Sequence, residues 1–468
     1  MKKLSQLVDY DGIDVDILGV ATDSRNVKSG YLFVATKGFH VDHYDYIDDA
    51  IKNGACAVVV DRESEFSVPT ILVDDIDTVL VSICERFYDV SSHDFKFIGI
   101  TGTDGKTTTS MITRNLLNYC IPTAYIGTNG LYCGNDIFPT SNTTPCVEEL
   151  YYYFSIIKKY HCKVIVMEVS SEALLHHRVD SILFDVVAFT NITEDHLNIH
   201  KTVENYRSCK FRLASLCKEH GLVIVNGDDI NCRLLDVNQK LCFGFSDDND
   251  YVISDVKKCQ NNVHFSIRCH DGKYSIQSSF QGIYNVYNVT LAWIIANSFL
   301  RCPELLIENI SKLPVVEGRR EVFSTSQGFD ILLDYAHTAN GIFNLLQSLS
   351  DYSRVIVVTG AAGGREVEKR PKIGDILFQN SDYIVFTSDD PRYENPKDIF
   401  LQILGNHTEE KYSFIEDRER AIFYALDLAK PGDVVAVIGK GRDNYMAILD
   451  QRIPYSDYDV ISKFLKKC

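Results

Sequence analysis

Residues 99–108 read Gly-Ile-Thr-Gly-Thr-Asp-Gly-Lys-Thr-Thr and follow directly on the apolar-leaning run Phe95-Lys96-Phe97-Ile98. A helical pattern with Met111, Ile112, Leu116 and Leu117 comes next. Strand, glycine-rich turn and helix in that order fit an α/β fold whose turn cradles polyphosphate through backbone N–H groups and a helix N-terminus. Lys106 is placed to reach the β/γ-phosphates, and the Thr107 hydroxyl to sit on Mg²⁺. The standard spacing G-x-x-x-x-G-K-[ST] needs glycine at position 100, where Ile100 stands; the glycines here are Gly102 and Gly105. A glycine turn with a chance Lys-Thr is the plainer alternative, but strand, turn and helix context all agree on a nucleotide, ATP or GTP.

A chain of 468 residues is too long for one core, so two or three domains are expected. Apolar runs alternate with turns over residues 1–88 (Gly19–Thr22, Tyr31–Ala35, Ala57–Val60, Thr70–Val73), with a helix from Tyr46 to Lys52, as in a small α/β unit. Over 89–313, apolar strands at Phe97–Ile100, Lys163–Met167, Val186–Phe189 and Leu222–Val225 alternate with helical stretches, the signature of βαβ units. Alternating segments near 252–256, 263–268 and 273–280 predict antiparallel edge strands, and Asn285–Leu300 a helix. Over 314–468, strands at Asp330–Asp334, Val355–Thr359, Tyr383–Thr387 and Val434–Ile438 predict a second open α/β sheet. Its functional loops should follow residues 334, 359, 387 and 438.

The net charge of −17 argues against general nucleic-acid or acidic-membrane binding, though a locally basic site for an anionic small substrate stays possible. The start, Met1 to Tyr10, lacks the apolar stretch of a signal peptide, and no run reaches the length of a membrane span. A cytoplasmic location is expected. The 14 cysteines show no C-x-x-C or paired zinc spacing; Cys56, Cys84 and Cys162 read as small, reduced core hydrophobes.

Val164-Ile-Val-Met-Glu168 reads as a buried strand ending in a carboxylate, where a phosphate-loop enzyme holds Mg²⁺; a helix cap or surface acid is the alternative. His196 follows the strand Val187–Ile192 and is either a ligand or a structural histidine. Lys210, in the helical stretch Tyr206–Arg212, reads by itself as part of a solvated basic face.

Taken together, T-G-T-D-G-K-T-T, M-E-V-S-S, F-T-N-I-T-E-D-H-L and Y-R-S-C-K resemble the Mur ligases of bacterial cell-wall synthesis. N-G-D-D at 226–229, Gly282 with Asn285 and Asn288, G-R-R-E at 318–321 and D-Y-A-H-T at 334–338 extend the resemblance, as do G-G-R at 363–365, K-R-P at 369–371, D-D-P-R-Y-E-N-P at 389–396, G-K-G at 439–441 and Y-S-D at 455–457. D-S-R at 23–25 and G-Y-L-F-V-A at 30–35 resemble the uridine-binding amino-terminal domain of one branch. The resemblance covers essentially the whole chain in order.

It implies three domains: a small α/β UDP-binding domain at 1–88, a central phosphate-loop parallel-sheet ATPase domain at 89–313, and a carboxy-terminal open Rossmann-like α/β domain at 314–468. It implies a monomeric ATP-dependent amide ligase of peptidoglycan precursor synthesis, acting on UDP-MurNAc-L-Ala-D-Glu and a diamino acid through an acyl phosphate. Nucleic acid and membrane are not implied as partners. Carried over by position, Gly102, Thr103, Asp104, Gly105, Lys106, Thr107, Thr108, Asn285, Arg319, Asp334 and His337 contact ATP. Thr107, Glu168 and His196 ligate two Mg²⁺ ions together with Lys210, carbamylated to N6-carboxylysine; Lys106, Glu168, His196 and Lys210 form the catalytic set. Ser24, the loop near His40, Thr143, Thr144, Ser170, His176 and Arg178 hold the UDP-linked dipeptide.

The amino acid falls to Asp389, Asp390, Pro391, Arg392, Gly439 and Asp443. The family's D-N-P-R marks meso-diaminopimelate enzymes, its arginine pairing with the substrate's second carboxylate. Here Asp390 replaces the asparagine, where it could offset Arg392 or bind an ammonium. The usual G-K-G-H-E is Gly439-Lys440-Gly441-Arg442-Asp443, and Glu172 replaces a histidine. Diaminopimelate is the expected substrate because Arg392 keeps a two-pronged carboxylate clamp; L-lysine or another diamino acid is the alternative. A folylpolyglutamate synthetase-like ligase is a more distant one, against which the D-S-R domain speaks. Without the resemblance, Arg392 could be a surface ion-pair residue, Asp443 a helix cap and Gly363-Gly364 a simple turn.

Overall fold

The computed structural model describes residues 1–38, 42–259 and 262–466. The loop position His40 lies outside the described residues. Contact density divides the chain into two compact units: residues 1–101, 117–187 and 209–223 in the first, and 102–116, 188–208 and 224–468 in the second.

In the first unit a short pair, β1 (Lys2–Lys3) and β2 (Asp16–Ile17), precedes four parallel strands, β3 (Gly19–Ala21), β4 (Tyr31–Val34), β5 (Ala55–Val60) and β6 (Thr70–Leu72), in that order across their sheet. The β-branched run at β5 is buried on both faces. The helix Ile76–Tyr88 starts at Asp75, whose carboxylate accepts from Thr78 N, and stops at Asp89 in the left-handed region, φ 52°. It buries Ile76, Leu80, Ile83 and Cys84 along one stripe.

The same unit holds β7 (Lys96–Thr101), β8 (Thr123–Gly127), β9 (Gly130–Cys133), β10 (Asp136–Phe138), β11 (Val164–Glu168), and most of β12 (Phe184–Phe189) and β13 (Cys217–Asn226). The order is β10-β9-β8-β11-β7-β12-β13. β11 lies parallel to both β7 and β8, with Glu168 opposite Ile100. All five residues of β11 are buried, which explains its unbroken apolar sequence up to Glu168.

In the second unit β14 (Leu241–Gly244) and β15 (Tyr251–Cys259) continue from the end of β13, followed by the antiparallel β16 (Asn262–Cys269) and β17 (Gly272–Ser278). The expected helix near 285–300 is Ile283–Leu300 and is buried almost all round, including Val286, Val289 and Trp293.

The carboxy-terminal sheet of this unit comprises β18 (Glu321–Ser324), β19 (Asp330–Asp334), β20 (Val355–Thr359), β21 (Tyr383–Phe386), β22 (Tyr412–Phe414) and β23 (Val434–Ile438), in the order β18-β19-β23-β20-β21-β22. All neighbours are parallel except β18. Alternate residues serve two cores: Leu332, Val357, Ile384 and Ala436 pack on one face, Ile331, Ile356, Val385 and Val435 on the other. Helices therefore cover both faces, and the loops after Asp334, Thr359, Phe386 and Ile438 gather at the carboxyl ends of the strands. The hairpin β24 (Tyr445–Ile448) and β25 (Gln451–Pro454) follows β23.

Two readings from residue type alone change. Lys210, on the helix Val203–Ser215, is buried rather than solvated, with 1% of its surface exposed. Cys84 and Cys162 are core residues, but Cys56 is only half-buried. Among the described residues, no helix is long and apolar enough to cross a membrane.

Candidate active site

The phosphate turn belongs to the second unit and is built against the segment 190–193. Thr103 N donates to Asn191 O at 2.8 Å, Asp104 N to Asn191 Oδ1 at 2.9 Å, and Thr190 Oγ1 to Asp104 O at 2.6 Å. Gly102 has φ 151°, and a Cβ there would fall 1.8 Å from Thr190 Oγ1; at Gly105, φ 83°, it would fall 2.4 Å from Asn288 Oδ1. The two glycines stand where neighbouring chain leaves no room for a side chain, which is why the motif works with glycine at 102 and not at 100. Asn288 Nδ2 donates to Asn285 Oδ1 at 3.0 Å, so Gly282–Asn288 packs on the turn as a unit. Thr107 and Thr108 open the helix Lys106–Asn118, both nearly buried.

Lys106 Nζ donates to the carbonyls of Gly102 and Thr103 at 2.8 and 2.9 Å, which keeps the ammonium over the turn. Arg319 Nη2 donates to Thr107 Oγ1 at 2.9 Å while its guanidinium lies 4.5 Å over the Tyr335 ring. Asp104 faces the other way: its carboxylate accepts from Thr338 Oγ1 at 3.0 Å and Asn340 Nδ2 at 3.2 Å, at the start of the helix Ala339–Gln347. Asp334 is buried and accepts from the backbone N–H groups of Arg320 and Ala336, both at 2.6 Å. Burial pushes its carboxyl above the usual range, against the nearby arginines. His337 Nδ1 is 2.8 Å from Tyr335 O.

His196 sits after β12 in the left-handed region, φ 55°, with Nε2 3.4 Å from Asp195. Burial opposes the charge on Asp195, but His196 and Lys369 hold its carboxyl well below the usual range. Lys369 Nζ lies 3.4 Å from Asp195 and 3.5 Å from Glu366, and Glu366 accepts from Leu197 N. The roles of Asp195, Glu366 and Lys369 escape a reading by motif, although E-D-H and K-R-P lie within segments quoted for the resemblance.

In the first unit Glu168 is fully buried at the end of β11. Its Oε1 accepts from Thr128 N at 3.0 Å and from the Tyr125 hydroxyl, and its Oε2 from Thr128 Oγ1 at 3.3 Å. Thr143 Oγ1 is 3.1 Å from Thr128 Oγ1. Thr144 Oγ1 donates to Glu168 O at 2.8 Å and accepts from Ser170 N at 3.0 Å, and Arg178 Nη1 donates to Thr144 O at 3.0 Å. Thr143, Thr144, Glu168, Ser170 and Arg178 thus form one connected group. Ser170 caps the helix Ser171–Leu175 and His176 closes it. Ser24 is buried in the turn Ser24–Asn26, its carbonyl accepting from Asn53 Nδ2.

The loops after β20, β21 and β23 interlock. Asp389 is buried against Gly439, where a Cβ would fall 2.3 Å from Asp389 Oδ2. Asp390 takes a positive φ of 42° and accepts from Lys440 Nζ at 2.7 Å and Ala447 N at 2.9 Å. Asp390 therefore pairs with Lys440. Arg392 has φ 53°; its N donates to Ala447 O at 3.0 Å and its carbonyl accepts from Leu449 N at 2.9 Å, which fastens it along β24. Gly363 N donates to Asp390 O at 3.0 Å, so the G-G-R turn braces Pro391 and Arg392. Lys440 Nζ also lies 3.6 Å from Asp443.

Three family models match in sequence order: "Mur ligase family, catalytic domain" over residues 16–88, "Mur ligase middle domain" over 100–296, and "Mur ligase, glutamate ligase domain" over 318–441. The chain belongs to the Mur ligase family. Among curated Mur ligases, the UDP-N-acetylmuramoyl-L-alanyl-D-glutamate–2,6-diaminopimelate ligase of Caldanaerobacter subterraneus subsp. tengcongensis is 37% identical, covering 97% of this chain and 95% of the relative. The ligase of the same name from Bacillus velezensis is 34% identical, covering 98% and 96%. A solved structure of a ligase of that name superposes with a TM-score of 0.65 at 25% identity, over 96% of this chain and 95% of its own. The Mur ligase fold extends to Mycobacterium tuberculosis folylpolyglutamate synthase (TM-score 0.66, 15% identity, 77% and 91% coverage), a likeness of fold alone.

Among the described residues, no three His, Cys, Asp or Glu side chains converge as a metal cage. The Thr107 hydroxyl in the second unit and the Glu168 carboxylate in the first each carry the hard oxygen that Mg²⁺ takes as a ligand.

Proposed function

We propose that this Mur ligase adds meso-2,6-diaminopimelate to UDP-MurNAc-L-Ala-D-Glu at the expense of ATP. Residues 1–88 would serve the UDP-linked substrate, 89–313 the nucleotide and 314–468 the amino acid. Curated relatives of that name, matching nearly the full chain, support the reaction. The observation that carries the choice of amino acid is the Asp390–Lys440 pair: the extra carboxylate is matched by an ammonium 2.7 Å away, so it does not cancel the Arg392 clamp.

A carboxylate is a poor electrophile, so the terminal carboxylate oxygen of the dipeptide attacks the γ-phosphorus, ADP leaves, and an acyl phosphate forms. The free amine of diaminopimelate then attacks the acyl carbon, the tetrahedral intermediate loses a proton from nitrogen and collapses to the amide, and inorganic phosphate departs with the bonding pair and takes up that proton. Lys106 and Arg319 neutralise charge on the transferring phosphoryl group. Thr107, Glu168, His196 and a carbamylated Lys210 would hold Mg²⁺, which when bound would supply further charge neutralisation. Thr143, Thr144, Ser170, His176 and Arg178 orient the dipeptide, Ser24 contacts the uridine, and Asn285, Asp334 and His337 hold the nucleotide. Arg392 receives the distal carboxylate of diaminopimelate, while Asp389 and Asp443 face its ammonium groups. Soluble nucleotide substrates place the reaction in the cytoplasm, and we take the enzyme to be a monomer.

The test supplies purified protein with ATP, Mg²⁺, bicarbonate and UDP-MurNAc-L-Ala-D-Glu, and compares meso-diaminopimelate, L-lysine and L-ornithine. One new amide with diaminopimelate is expected. No amide with any of the three overturns the ligase reading, and preference for lysine or ornithine overturns the specificity.

A further inference from the structure

Arg442, in the G-K-G-R-D loop, is assigned no substrate contact by the ligase reaction. Its side chain is directed at Glu321, the first residue of β18. Nε donates to Glu321 Oε2 at 2.9 Å and Nη2 to Oε1 at 2.5 Å, a two-pronged pair, with the guanidinium 3.4 Å over the Tyr458 ring. Both charges are largely withdrawn from solvent, at 25% and 15% side-chain exposure.

Glu321 is not a passive acceptor. Its Oε2 also accepts from Gly318 N at 3.0 Å, closing the turn that carries Arg319 and Arg320. The backbones meet as well: Gly318 has φ 68°, and a Cβ there would lie 2.9 Å from Arg442 N. From this turn Arg319 reaches Thr107 at 2.9 Å, and Arg320 N reaches Asp334.

Tyr335 makes a second seam. Arg319 stacks on its ring, and Gly441 presses against it so closely that a Cβ would fall 2.0 Å from Cδ2. On the far side of Gly441, Lys440 holds Asp390. A continuous path thus runs from the loop with Asp390 and Asp443, through Arg442 and Glu321, to Arg319 at the phosphate turn.

We propose that Arg442 is a positioning residue of the ligase: by gripping Glu321 it fixes the 318–321 turn, so that the loop facing the amino acid also sets Arg319 at the nucleotide. The inference rests on the ligase reading of this site. An arginine fork fixes angle as well as distance, which a lysine at the same place cannot do. A displacement of about 1 Å in a charge-neutralising group costs on the order of 100-fold in rate. Any coupling between the two ligands is reciprocal in binding free energy.

The experiment measures ATP dissociation constants without amino acid, and KM for each substrate, for the full-length wild type, Arg442→Ala, Arg442→Lys, Glu321→Gln and the double variant Arg442→Ala/Glu321→Gln. ATP affinity should weaken about 10-fold in Arg442→Ala and in Glu321→Gln, less in Arg442→Lys, and no further in the double variant, as for residues acting as one unit. A residue serving the amino-acid loop alone would raise only the amino-acid KM. Folded variants whose ATP affinity stays within about 2-fold of wild type, or single effects that multiply in the double variant, overturn the proposal. Arg442→Lys keeps the charge and Glu321→Gln an acceptor, so at least one variant should remain folded. If the wild type binds ATP but forms no amide with any diamino acid, the ligase reading fails while the ATP-affinity series still decides the coupling.

Discussion

Lys440 Nζ lies 2.7 Å from Asp390 Oδ1 and 3.6 Å from Asp443 Oδ2, with the lysine side chain only 1% exposed. One buried ammonium thus joins the two positions at which this chain departs toward aspartate. The pairing gives Asp390 a structural partner. It leaves Arg392, two residues on, to be held by backbone contacts with β24.

Removing either partner should have unequal effects. Lys440→Met leaves Asp389 and Asp390 without their ammonium, and loss of one member of a buried pair costs about 3–5 kcal/mol. Asp390→Asn keeps an acceptor for Ala447 N, and Lys440 retains Asp443 and Asp389, so it should cost about 1 kcal/mol. Urea unfolding of both variants checks the order. Equal losses would refute the account.

Asp443 carries a pH signature. Burial raises its carboxyl to about 7, with Asp457 adding to the rise and Arg319 and Arg452 opposing it. The folded state then binds more protons than the unfolded state between about pH 4 and 7, so stability falls as pH rises through that window. Asp443→Asn removes this penalty and should stabilise the protein at pH 8 by on the order of 1–2 kcal/mol while leaving pH 4 unchanged. In catalysis, an arriving ammonium favours the carboxylate, so the amino-acid KM of the wild type should fall as pH rises past about 7 and flatten in the variant. Thermal unfolding at the two pH values and a KM profile from pH 6 to 9 check both signs.

The strands of both α/β sheets were legible because buried parallel strands are written as unbroken β-branched runs. β19, β20 and β23 begin and end where the sequence pattern places them. The phosphate turn was legible because glycine, lysine and threonine are each there for a local reason. Lys210 was not: a lysine's burial depends on what packs over its helix, and periodicity carries no record of that. Nor was the partner of Asp390, since a pair separated by 50 residues forms only once two strand-end loops have met. The same holds for Arg442, a loop residue whose partner Glu321 lies on β18.

Arg370 should prove the most sensitive position behind the amino-acid loops. It is fully buried in the helix Lys369–Asn380; Nη1 donates to Glu394 Oε2 at 2.6 Å, Nη2 to Glu394 Oε1 at 3.0 Å and to Ala362 O at 3.1 Å. Arg370 draws the carboxyl of Glu394 below its usual value, against burial. The fork ties the G-G-R turn to the D-D-P-R-Y-E loop. Arg370→Met should destabilise by about 3–5 kcal/mol, while Arg370→Met/Glu394→Leu should recover most of that stability without recovering the amino-acid KM. Recovery of both would mean that the pair holds the fold and not the position of Arg392.

In the proposed reaction a carbamylated Lys210 would serve the metal. Its side chain is buried on a helix one residue after Cys209, whose Sγ donates to Ser171 O. Carbamylation would join the nitrogen of the lysine cation to CO₂, release two protons to water and leave a carboxylate-like anion, while burial would shield the product from hydrolysis. Lys210→Ala should then lower kcat by at least about 100-fold, the scale of losing a charge-stabilising group, while the Kd for UDP-MurNAc-L-Ala-D-Glu changes little. Short carboxylic acids such as formate or acetate should restore part of the rate to Lys210→Ala and none to Lys106→Ala. Wild-type enzyme incubated with ¹³C-bicarbonate should show one carbamate resonance that Lys210→Ala lacks. Retention of full activity by Lys210→Ala, or absence of that resonance in active wild type, would exclude the carbamate.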